Sequence, residues 1–464
     1  MAHFRIKRDA CTSKGFVRRL DDLKLNTVAD PRDSRWTRFP LLGVLKLALM
    51  AMVSGGLSQR AFENRSESIG DKFQDYVGLT ERMSDNAWGA LLQRLDVRDL
   101  RYCLQLAAKA EYERKALLPT QLPWSTVSID GKHLATLSEE RLRRLVKSDS
   151  DEPLSMDELR AQLKLQYPWV QVCEQGSLVY GLIRVHNVAL VSAAATIVLD
   201  QREIPGHSNE VGTIQSTVQA LLDVYGTTSM VQVVMTDAGN TRCATGAFLT
   251  ENKVNYLFTI ADNHPDIFNE AQSLLGVRTN DQAEAMSSEN ADGLSVVHSV
   301  WTTSLPAGFL RWGHARQLIR VERVCVNNKG EITVGNRYYV TSMTPEKASP
   351  ENLLQASRVH WRIENEVHWT SDVVFREDAR RTPLSKHPTA ILVVAMLRTM
   401  ARNILAMLRS KSRFREAPAS GERHDPNRTE RWYAPSWRHV LDSLLQMLFV
   451  PLLDTTAFDL VDPA

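Results

Sequence analysis

Residues 358–369 read Arg-Val-His-Trp-Arg-Ile-Glu-Asn-Glu-Val-His-Trp and predict an amphipathic helix that holds a carboxylate beside its buried face. An apolar stripe recurs there at steps of four, four, three and four, which is the period of a helix. Glu364 lies beside the edge of that stripe, in a row with His360 and His368 at spacing four. The members of the stripe are Val359, Ile363, Val367, Thr370 and Val374. A surface helix with solvated charges also explains this pattern, so the rest of the chain decides between the two interpretations.

The overall composition is that of a soluble globular protein. The chain has 464 residues, enough for roughly two to four domains, and its content of 43% apolar and 24% charged residues excludes wholesale disorder. Five cysteines, far apart and in no CxxC pair, argue against a disulfide framework or a structural zinc site. We therefore expect a protein of the reducing cytoplasm.

The sequence predicts no membrane segment. The first 19 residues are basic and lack the apolar core of a signal peptide. The one long apolar run, residues 41–57, contains Lys46 and is about as short as a membrane span can be. A buried helix is therefore the favoured interpretation of this run.

The small net charge of +2 hides two basic segments. Residues 358–415 have 12 Lys and Arg against 5 Asp and Glu, and residues 1–40 have 10 against 5. Basic segments of this kind are where a polyanion would dock. They are common in proteins, however, so this observation only permits a nucleic-acid partner.

The N-terminal quarter, residues 1–118, predicts a separate helical domain with no visible chemistry. Asp85 offers an N-cap for one of its helices. Apolar residues at helical spacing mark the segments 41–54, 59–67, 85–97 and 99–115.

Two predicted strands end in an aspartate. Residues 124–132 alternate apolar and polar side chains and place Asp130 before a glycine turn. Residues 230–237 form a nearly continuous apolar run, typical of a strand buried on both faces, that stops at Asp237. Taken alone, an aspartate before glycine is more simply explained as a turn cap. Catalytic groups collect at strand ends in open mixed sheets, so both acids are also candidates for chemistry.

The remaining segments surround these strands. Residues 138–176 form a charged, partly helical insertion, and residues 262–355 form a β-rich one with turn signals such as Asn-Asn-Lys-Gly at 327–330. Further strands are predicted at 177–185, 187–200, 256–260, 294–303, 317–326 and 338–341. Further helices are predicted at 209–225, 241–252, 389–408 and 437–453.

Three acids that are distant along the chain, Asp130, Asp237 and Glu364, suggest metal chemistry if the fold brings them together. Crowded carboxylates repel one another, so their convergence would imply a cation. Phosphodiester cleavage needs an activated nucleophile and a neutralised leaving oxygen, and two divalent ions about 3.5–4 Å apart supply both. Hard oxygen ligands suit Mg²⁺ or Mn²⁺, and we expect two such ions.

Four motifs resemble the DDE transposases of bacterial insertion sequences, and within them the ISAs-type group that includes the H-repeat-associated proteins. The short motifs are Ile-Asp-Gly-Lys at 129–132, Gly-His-Ser-Asn-Glu at 206–210 and Val-Met-Thr-Asp-Ala at 234–238. The long one, at 358–380, is Arg-x-His-Trp-x-Ile-Glu-Asn-x-x-His-Trp-x-x-Asp-Val-x-Phe-x-Glu-Asp-x-Arg. Residues 30–59 also resemble the N-terminal associated domain of this group, so the resemblance covers about residues 25–412.

The resemblance implies an α/β fold, a ribonuclease-H-like mixed sheet with helices, interrupted by a β-rich insertion and preceded by an all-helical N-terminal domain. The catalytic domain would comprise residues 119–261 and 356–412, and the helical domain at 1–118 would be DNA-binding or associated. Residues 413–464 would form a linker and a C-terminal helix.

The activity implied by the resemblance is metal-dependent hydrolysis at transposon ends followed by strand transfer to target DNA. Asp130, Asp237 and Glu364 would be the catalytic, metal-binding acids. The partners would be double-stranded DNA, both terminal inverted repeats and target, and a second copy of the chain in a homodimer on paired ends. The protein would be cytoplasmic and nucleoid-associated. Implied DNA contacts are Lys132, Asn209, Asn263, His314, Arg316, Arg320, Arg358, His360, Trp361, Arg362, Asn365 and Trp369.

The sequence departs from the group's pattern at several places. Residues 239–242 replace the usual Met-x-x-Gln that follows Asp-Ala, residues 261–264 keep only Asn263 of a Lys-Gly-Asn-Gln, and residues 314–320 lack a glutamate. A transposase-derived DNA-binding protein that no longer cuts is therefore an alternative.

A second alternative is a zinc hydrolase that uses His360, Glu364 and His368. Ligands at steps of four drift by about 40° per step around a helix, which makes this site geometrically poor.

Overall fold

The chain folds as a mixed α/β protein with two compact units, residues 108–369 and residues 1–107 together with 370–464. The computed structural model describes residues 13–146, 154–291, 294–309, 311–377, 387–411, 414–415, 432–433 and 436–449. The helices are α1 (Ser13–Asp22), α2 (Leu41–Val53), α3 (Gln59–Glu67), α4 (Asp71–Val77), α5 (Asp85–Leu92), α6 (Val97–Glu113), α7 (Glu139–Leu145), α8 (Met156–Gln166), α9 (Glu210–Tyr225), α10 (Cys243–Glu251), α11 (Pro265–Leu275), α12 (Pro350–His360), α13 (Pro388–Lys411) and α14 (Trp437–Phe449). The strands are β1 (Thr126–Ser138), β2 (Val170–Gln175), β3 (Leu178–Leu190), β4 (Ile197–Glu203), β5 (Val233–Thr236), β6 (Asn255–Ile260), β7 (Ala285–Ala291), β8 (Leu294–Ser304), β9 (Gln317–Val326), β10 (Ile332–Thr341), β11 (Phe414–Arg415) and β12 (Trp432–Tyr433).

The unit formed by the two chain ends is helical. Its core is built around α2, whose sequence is apolar on all sides and almost entirely buried. Gly43 lets α2 approach α4 closely, because a Cβ at this position would collide with the backbone oxygen of Val77. α13 packs on α2 within the same core. By length and composition one described helix, Pro388–Ser410, could cross a membrane, but 89% of its apolar stretch is buried inside the protein.

The position of α13 differs from the expectation that residues 356–412 complete the catalytic domain. From Thr370 onward the chain belongs to the helical unit. The physical reason is the apolar face of α13, which includes Val393, Leu397 and Met400, all fully buried among the helices of the N-terminal segment. The sequence motif at 358–380 therefore spans both units.

The other unit is organised by one large mixed sheet. Its strand order is β2-β3-β1-β5-β6-β10-β9-β8-β7, with β4 also paired to β3. β1 runs antiparallel to β3 and parallel to β5, and β5 runs parallel to β6. β10 pairs with β6 in antiparallel register, with Tyr338 opposite Ile260. The β-rich segment expected as a separate insertion at 262–355 therefore continues the central sheet.

Most predicted elements are confirmed, and the differences have local causes. α2, α3, α9, α10, β6 and β9 lie within a residue or two of their predicted bounds. The predicted break between strands at His186 is wrong, because His186 is buried inside the continuous strand β3. The helix cap predicted at Asp85 is provided by Ser84, which accepts a hydrogen bond from the Ala87 N–H. α11 is a helix that the sequence patterns did not predict.

Two predicted segments lie partly outside the residues that the structure describes. The charged insertion contains α7 and α8, as its partly helical pattern predicted, but residues 147–153 between them are not described. Most of the linker predicted after residue 412 is likewise outside the described ranges. The C-terminal helix predicted at 437–453 is described as α14.

The motif that starts at Arg358 is helical, but its hydrogen bonding changes along its length. α12 ends at His360, and the backbone then adopts π-helical turns at Ile363–His368 and at Thr370–Val374. Single π turns of this kind occur frequently at functional sites, because they rotate the following side chains relative to an α-helix. Val359, Ile363 and Val367 are buried in the core under the sheet, as the apolar stripe predicted.

We predict that the end of the motif stabilises the helical unit through a buried ion pair. Glu377 Oε1 lies 3.7 Å from Arg398 Nη1, and the two side chains are only 6% and 7% exposed. Glu377→Ala would leave the guanidinium buried without this partner, which typically costs about 3–5 kcal/mol. Urea unfolding measures the loss in the free energy of unfolding.

The matched control for this prediction is Glu140→Ala. Glu140 forms an exposed pair with Arg144 one helical turn away, with side chains 73% and 68% exposed. Pairs of this kind contribute at most about 0.5 kcal/mol. An equal loss of stability in the two variants would contradict the proposed role of the buried pair.

Candidate active site

The parallel pairing of β1 with β5 places two predicted acids side by side. The prediction that the first strand ends at Asp130 before a glycine turn is wrong, because β1 continues through Gly131, which is paired with His186 of β3, to Ser138. Asp237, in contrast, directly follows the end of β5, as predicted. The strands are parallel, and Ile129 is in register with Thr236, so that Asp130 and Asp237 follow at adjacent positions. Neighbouring strands lie about 4.8 Å apart. Both aspartates are half-buried, whereas the residues before them on each strand are buried. Chain topology therefore brings together two carboxylates that are far apart in sequence.

The π-helical segment brings the third acid towards the part of β1 that carries Asp130. This segment packs on β1. His360 Nδ1 lies 3.1 Å from Ser128 Oγ, and His368 Nδ1 lies 3.5 Å from Asp130 Oδ2. Two contacts, one on either side of Glu364 in the sequence, thus hold the segment against the strand, and the Glu364 side chain itself is exposed.

The electrostatics at Asp130 reflect the proximity of these acids. Burial raises the pKa of Asp130 to about 7, and the negative charges of Asp237 and then Glu364 add to this rise. The Gly131 N–H donates to Asp130 Oδ1 at 2.9 Å and opposes the rise by stabilising the charged form. A carboxyl group with so high a pKa is crowded by like charges, and it is typical of functional sites.

A fourth acid, Glu210, belongs to the same cluster and was not among the predicted site residues. Its carboxylate packs directly over Gly131, where a Cβ would collide with it, and its charge contributes to the raised pKa of Asp130. Asn209 caps α9 by accepting a hydrogen bond from the Gly212 N–H at 2.8 Å, which places Glu210 in the first turn. The Gly-His-Ser-Asn-Glu motif contained the signal, but only Asn209 was assigned from it.

The turn after Asp237 is well supported although its sequence departs from the expected pattern. Asp237 Oδ1 accepts a hydrogen bond from the Asn240 N–H at 2.9 Å, and Thr241 Oγ1 lies 3.0 Å from Thr236 Oγ1. Asn263 Nδ2 donates to the Ala238 oxygen at 2.8 Å. The replacement residues therefore form a closed turn that fixes the Asp237 backbone.

The donor chemistry of the cluster suits a divalent cation, but the side chains do not yet surround one. Among the described residues, no group of three or more His, Cys, Asp and Glu side chains is close enough to hold a metal ion. Burial is nevertheless the largest cause of the raised pKa of Asp130, and the charges of Asp237 and Glu364 add a repulsion that a hard cation would relieve.

The alternative zinc site at His360, Glu364 and His368 is not supported by this geometry. His360 is 4% exposed and faces Ser128, whereas Glu364 is exposed. Burial, with a contribution from Arg337, lowers the pKa of His360 to about 4. His360 is thus a neutral core histidine that attaches the helix to β1.

The residues expected to contact DNA fall into two groups. Several have structural contacts instead. Lys132, Arg320 and His360 are buried, His314 is hydrogen-bonded to Tyr256, Arg316 donates to the Gly313 and Ala315 oxygens, Asn209 caps α9, and Asn263 holds the turn after Asp237.

The second group lies on the helical segment from Arg358 to Val374, which we call the motif helix. Trp369 is 47% exposed. Arg358, Trp361, Arg362 and Asn365 line one wall of a cleft of about 750 Å³. Of the expected DNA contacts, this group is placed best to contact a ligand.

Comparisons with known proteins reveal distant relatives. A scan of protein families found no matching family model. The chain is 23% identical over 204 residues to "Putative protein YbfL" and 22% identical over 204 residues to "H repeat-associated putative transposase YhhI", both of Escherichia coli K12. Each match covers 42% of this chain and 52% of the relative, so the chain spans about half the length of these two proteins. It is 22% identical over 313 residues to "Putative transposase YncI" of Escherichia coli O157:H7, covering 60% of this chain and 77% of that protein.

Proposed function

We propose that the protein is a DNA transposase that cleaves phosphodiester bonds at transposon ends and transfers the freed strand to target DNA. The main observation is that Asp130 and Asp237 lie at adjacent positions on paired strands, and that the charges of Asp237 and Glu364 add to the burial that raises the pKa of Asp130. The printed names of two distant relatives describe transposases, which supports the same assignment. Within transposases, we assign the chain to the DDE type and to the ISAs-type group on the basis of its sequence motifs.

The fold is consistent with a ribonuclease-H-like catalytic domain. A mixed sheet places one acid within β1 and one just after the neighbouring parallel strand β5, and a helical segment that packs on β1 carries the third. We propose that residues 108–369 include this catalytic domain. We further propose that the helical N-terminal segment is DNA-binding.

Each acid of the cluster has a distinct part in this proposal. Asp130 and Asp237 would hold Mg²⁺ or Mn²⁺, and Glu364 would complete the ligand set. Two bound ions would activate the attacking oxygen and neutralise the charge on the leaving oxygen. His368, 3.5 Å from Asp130, restricts the rotation of that carboxylate, and Gly131 provides the space that Glu210 occupies beside it.

We propose that double-stranded DNA approaches the exposed side of the motif helix. Arg358, Trp361, Asn365 and Trp369 offer a cation, two aromatic surfaces and an amide there. Guanidinium groups bind phosphates and aromatic rings stack on bases, so this combination suits a DNA end. Terminal repeats and target DNA are the proposed partners, with a homodimer on paired ends in the nucleoid of the cytoplasm.

A second candidate function is a transposase-derived protein that binds DNA but no longer cuts it. The specific observation in its favour is that the acidic side chains of the described residues do not form a ready metal site. Magnesium-dependent nicking of DNA that contains the repeats flanking the coding region separates the two candidates. Binding without nicking would favour the second.

We predict that Asp130→Asn, Asp237→Asn and Glu364→Gln each abolish this nicking, by at least about 1,000-fold, because each removes a charged ligand of the proposed ions. Binding of the same DNA should persist in all three variants. Gel assays of nicking and fluorescence anisotropy of binding measure the two properties. Asp262→Asn is the control, since Asp262 is an exposed acid just after β6 and outside the cluster. Full activity of Glu364→Gln would remove this residue from the catalytic set.

We also predict that Asp130 destabilises the metal-free protein at high pH. Its pKa is about 7 in the folded chain against an ordinary value of 3.8, so the folded state binds this proton more tightly than the unfolded state. The stability that protonation contributes is present below about pH 4 and is lost as the pH rises through 7. Asp130→Asn should therefore raise the melting temperature in EDTA at about pH 8 and change it little near pH 4.

Magnesium gives the complementary measurement. At about pH 8 it should stabilise the wild type, because a ligand that binds only the folded state shifts the unfolding equilibrium. The Asp130→Asn variant should gain much less. Equal stabilisation of both proteins would contradict a role for Asp130 in binding the cation.

A further inference from the structure

A cleft lies on a different side of the motif helix from Glu364 and contains four arginines. We call it the arginine cleft, and it has a volume of about 750 Å³. One wall is α12 and the turn after it, which pack across β7, β8 and β9. Its arginines are Arg323, Arg337, Arg358 and Arg362, and Glu289 is the acidic residue among its lining residues.

The floor of the arginine cleft is one face of the antiparallel part of the sheet. His298 is in register with Ser287 on one side and with Arg323 on the other, and Arg323 is in register with Gly335. Residues directly opposite each other in a sheet share a face. Arg337 lies two residues beyond Gly335 on the same face. The residues of this floor, His298, Arg323 and Arg337, were not among the predicted DNA contacts.

Two of the arginines are already bound to other groups. Arg362 donates to the backbone oxygens of Val191 and Ala193 and pairs with Glu366 at 2.9 Å, so its role is structural. Arg358 Nη2 lies 2.5 Å from Glu289 Oε2 on β7, and its Nη1 lies 3.3 Å from Ser287 Oγ. Of the two arginines on this wall, only Arg358 could turn to a ligand, and it would first have to leave Glu289.

The two floor arginines have no acidic partner among the described residues. No ion pair in the described part of the chain involves Arg323 or Arg337. The Arg337 guanidinium stacks 3.8 Å from the centre of the Trp361 ring. Stacking uses the flat face of a guanidinium and leaves its N–H edge available for bidentate hydrogen bonds. Arg337 is thus oriented by an aromatic ring and still able to bind an anion.

His298 adds a polar group with an unmet hydrogen-bonding capacity. Its Nδ1 is buried, and it has no hydrogen-bond partner among the described residues. Burial lowers the pKa of His298, and the positive charges of Arg358 and Arg323 lower it further, consistent with a positive potential in the cleft. A ligand in the cleft could provide the missing partner.

We propose that the arginine cleft binds the phosphate groups of one nucleic-acid strand and that Glu289 occupies Arg358 until such a strand displaces it. The planar forks of Arg323, Arg337 and Arg358 match the geometry of phosphate oxygens. The volume lies within the range of small-ligand pockets, which suits a few nucleotides of one strand. The choice of a nucleic-acid strand over a free nucleotide rests on the proposed function.

Gly335 offers a test that leaves every charge in place. A Cβ at this position would have no atom within 4 Å, and its backbone is outside the left-handed region, so a larger side chain fits without strain and projects over the floor of the cleft beside Arg323. Gly335→Leu is therefore the blocking variant. Val334→Leu is its control, because Val334 is the preceding residue on the same strand, 55% exposed and directed to the opposite face.

The experiment measures binding of a labelled single-stranded oligonucleotide of about ten nucleotides by fluorescence anisotropy in EDTA, where the acids have no metal. Gly335→Leu, Arg323→Gln and Arg337→Gln should each weaken binding by about tenfold or more, and Val334→Leu should not. Glu289→Gln should tighten binding by about two- to fivefold, since it removes an exposed internal competitor. Unchanged affinity in Gly335→Leu and in both arginine variants overturns the proposal.

Competition identifies the source of the phosphate. Inorganic triphosphate and a nucleoside triphosphate should displace the oligonucleotide only at much higher concentrations, because each fills fewer phosphate positions than a strand. Competition at equal concentration would overturn the assignment to a strand. A melting curve for each variant shows that it is folded.

The failure of this proposal is distinguishable from failure of the proposed function. Asp130→Asn should bind the oligonucleotide like the wild type in EDTA, because the acids are not part of the cleft. If the protein nicks DNA but its strand binding is insensitive to Gly335→Leu, the cleft proposal fails and the transposase proposal stands. If strand binding is sensitive to Gly335→Leu but the protein never nicks DNA, the cleft proposal stands and the transposase proposal fails.

Discussion

The parallel pairing of β1 with β5 is the constraint on which the candidate site depends. It fixes Asp130, within β1, beside Asp237, which follows β5, and the burial that accompanies a central strand raises the pKa of Asp130. The hydrogen bonds of the sheet hold this unfavourable pair in place. Any ligand that removes this repulsion would stabilise the folded state, and this is the physical basis on which we propose a cation there.

Two sides of the motif helix face two different candidate sites. One side of it, held by His360 and His368, brings Glu364 towards the acids at β1. Another side presents Arg358 and Trp361 to the cleft formed with β8, β9 and β10. The first π-helical turn, Ile363–His368, contains Glu364 and directly follows Trp361. A change in helical geometry between these residues changes the direction in which their side chains project.

Much of this architecture could be predicted from sequence because its patterns are local. The apolar stripe from Val359 predicted a helix that is buried on that side, and the apolar run before Asp237 predicted a central strand. The π-helical turns could not be predicted, since a stripe at steps of three and four fits either geometry. The assignment of α13 to the helical unit was equally hidden, because an apolar face does not identify its partner.

The parts of the site that sequence missed depend on contacts between distant residues. Glu210 was overlooked because its proximity to Asp130 depends on the absence of a side chain at Gly131, a steric relation across 79 positions of the chain. Conversely, Arg320 and His314 belong to basic or histidine-containing patterns that suggested DNA contacts, yet the fold uses them internally, Arg320 with Glu322 and His314 with Tyr256. A charged residue in a sequence indicates only that its side chain needs a partner or solvent. The fold determines which partner it finds, and the cations without an acidic partner among the described residues include Arg323 and Arg337, on the floor of the cleft.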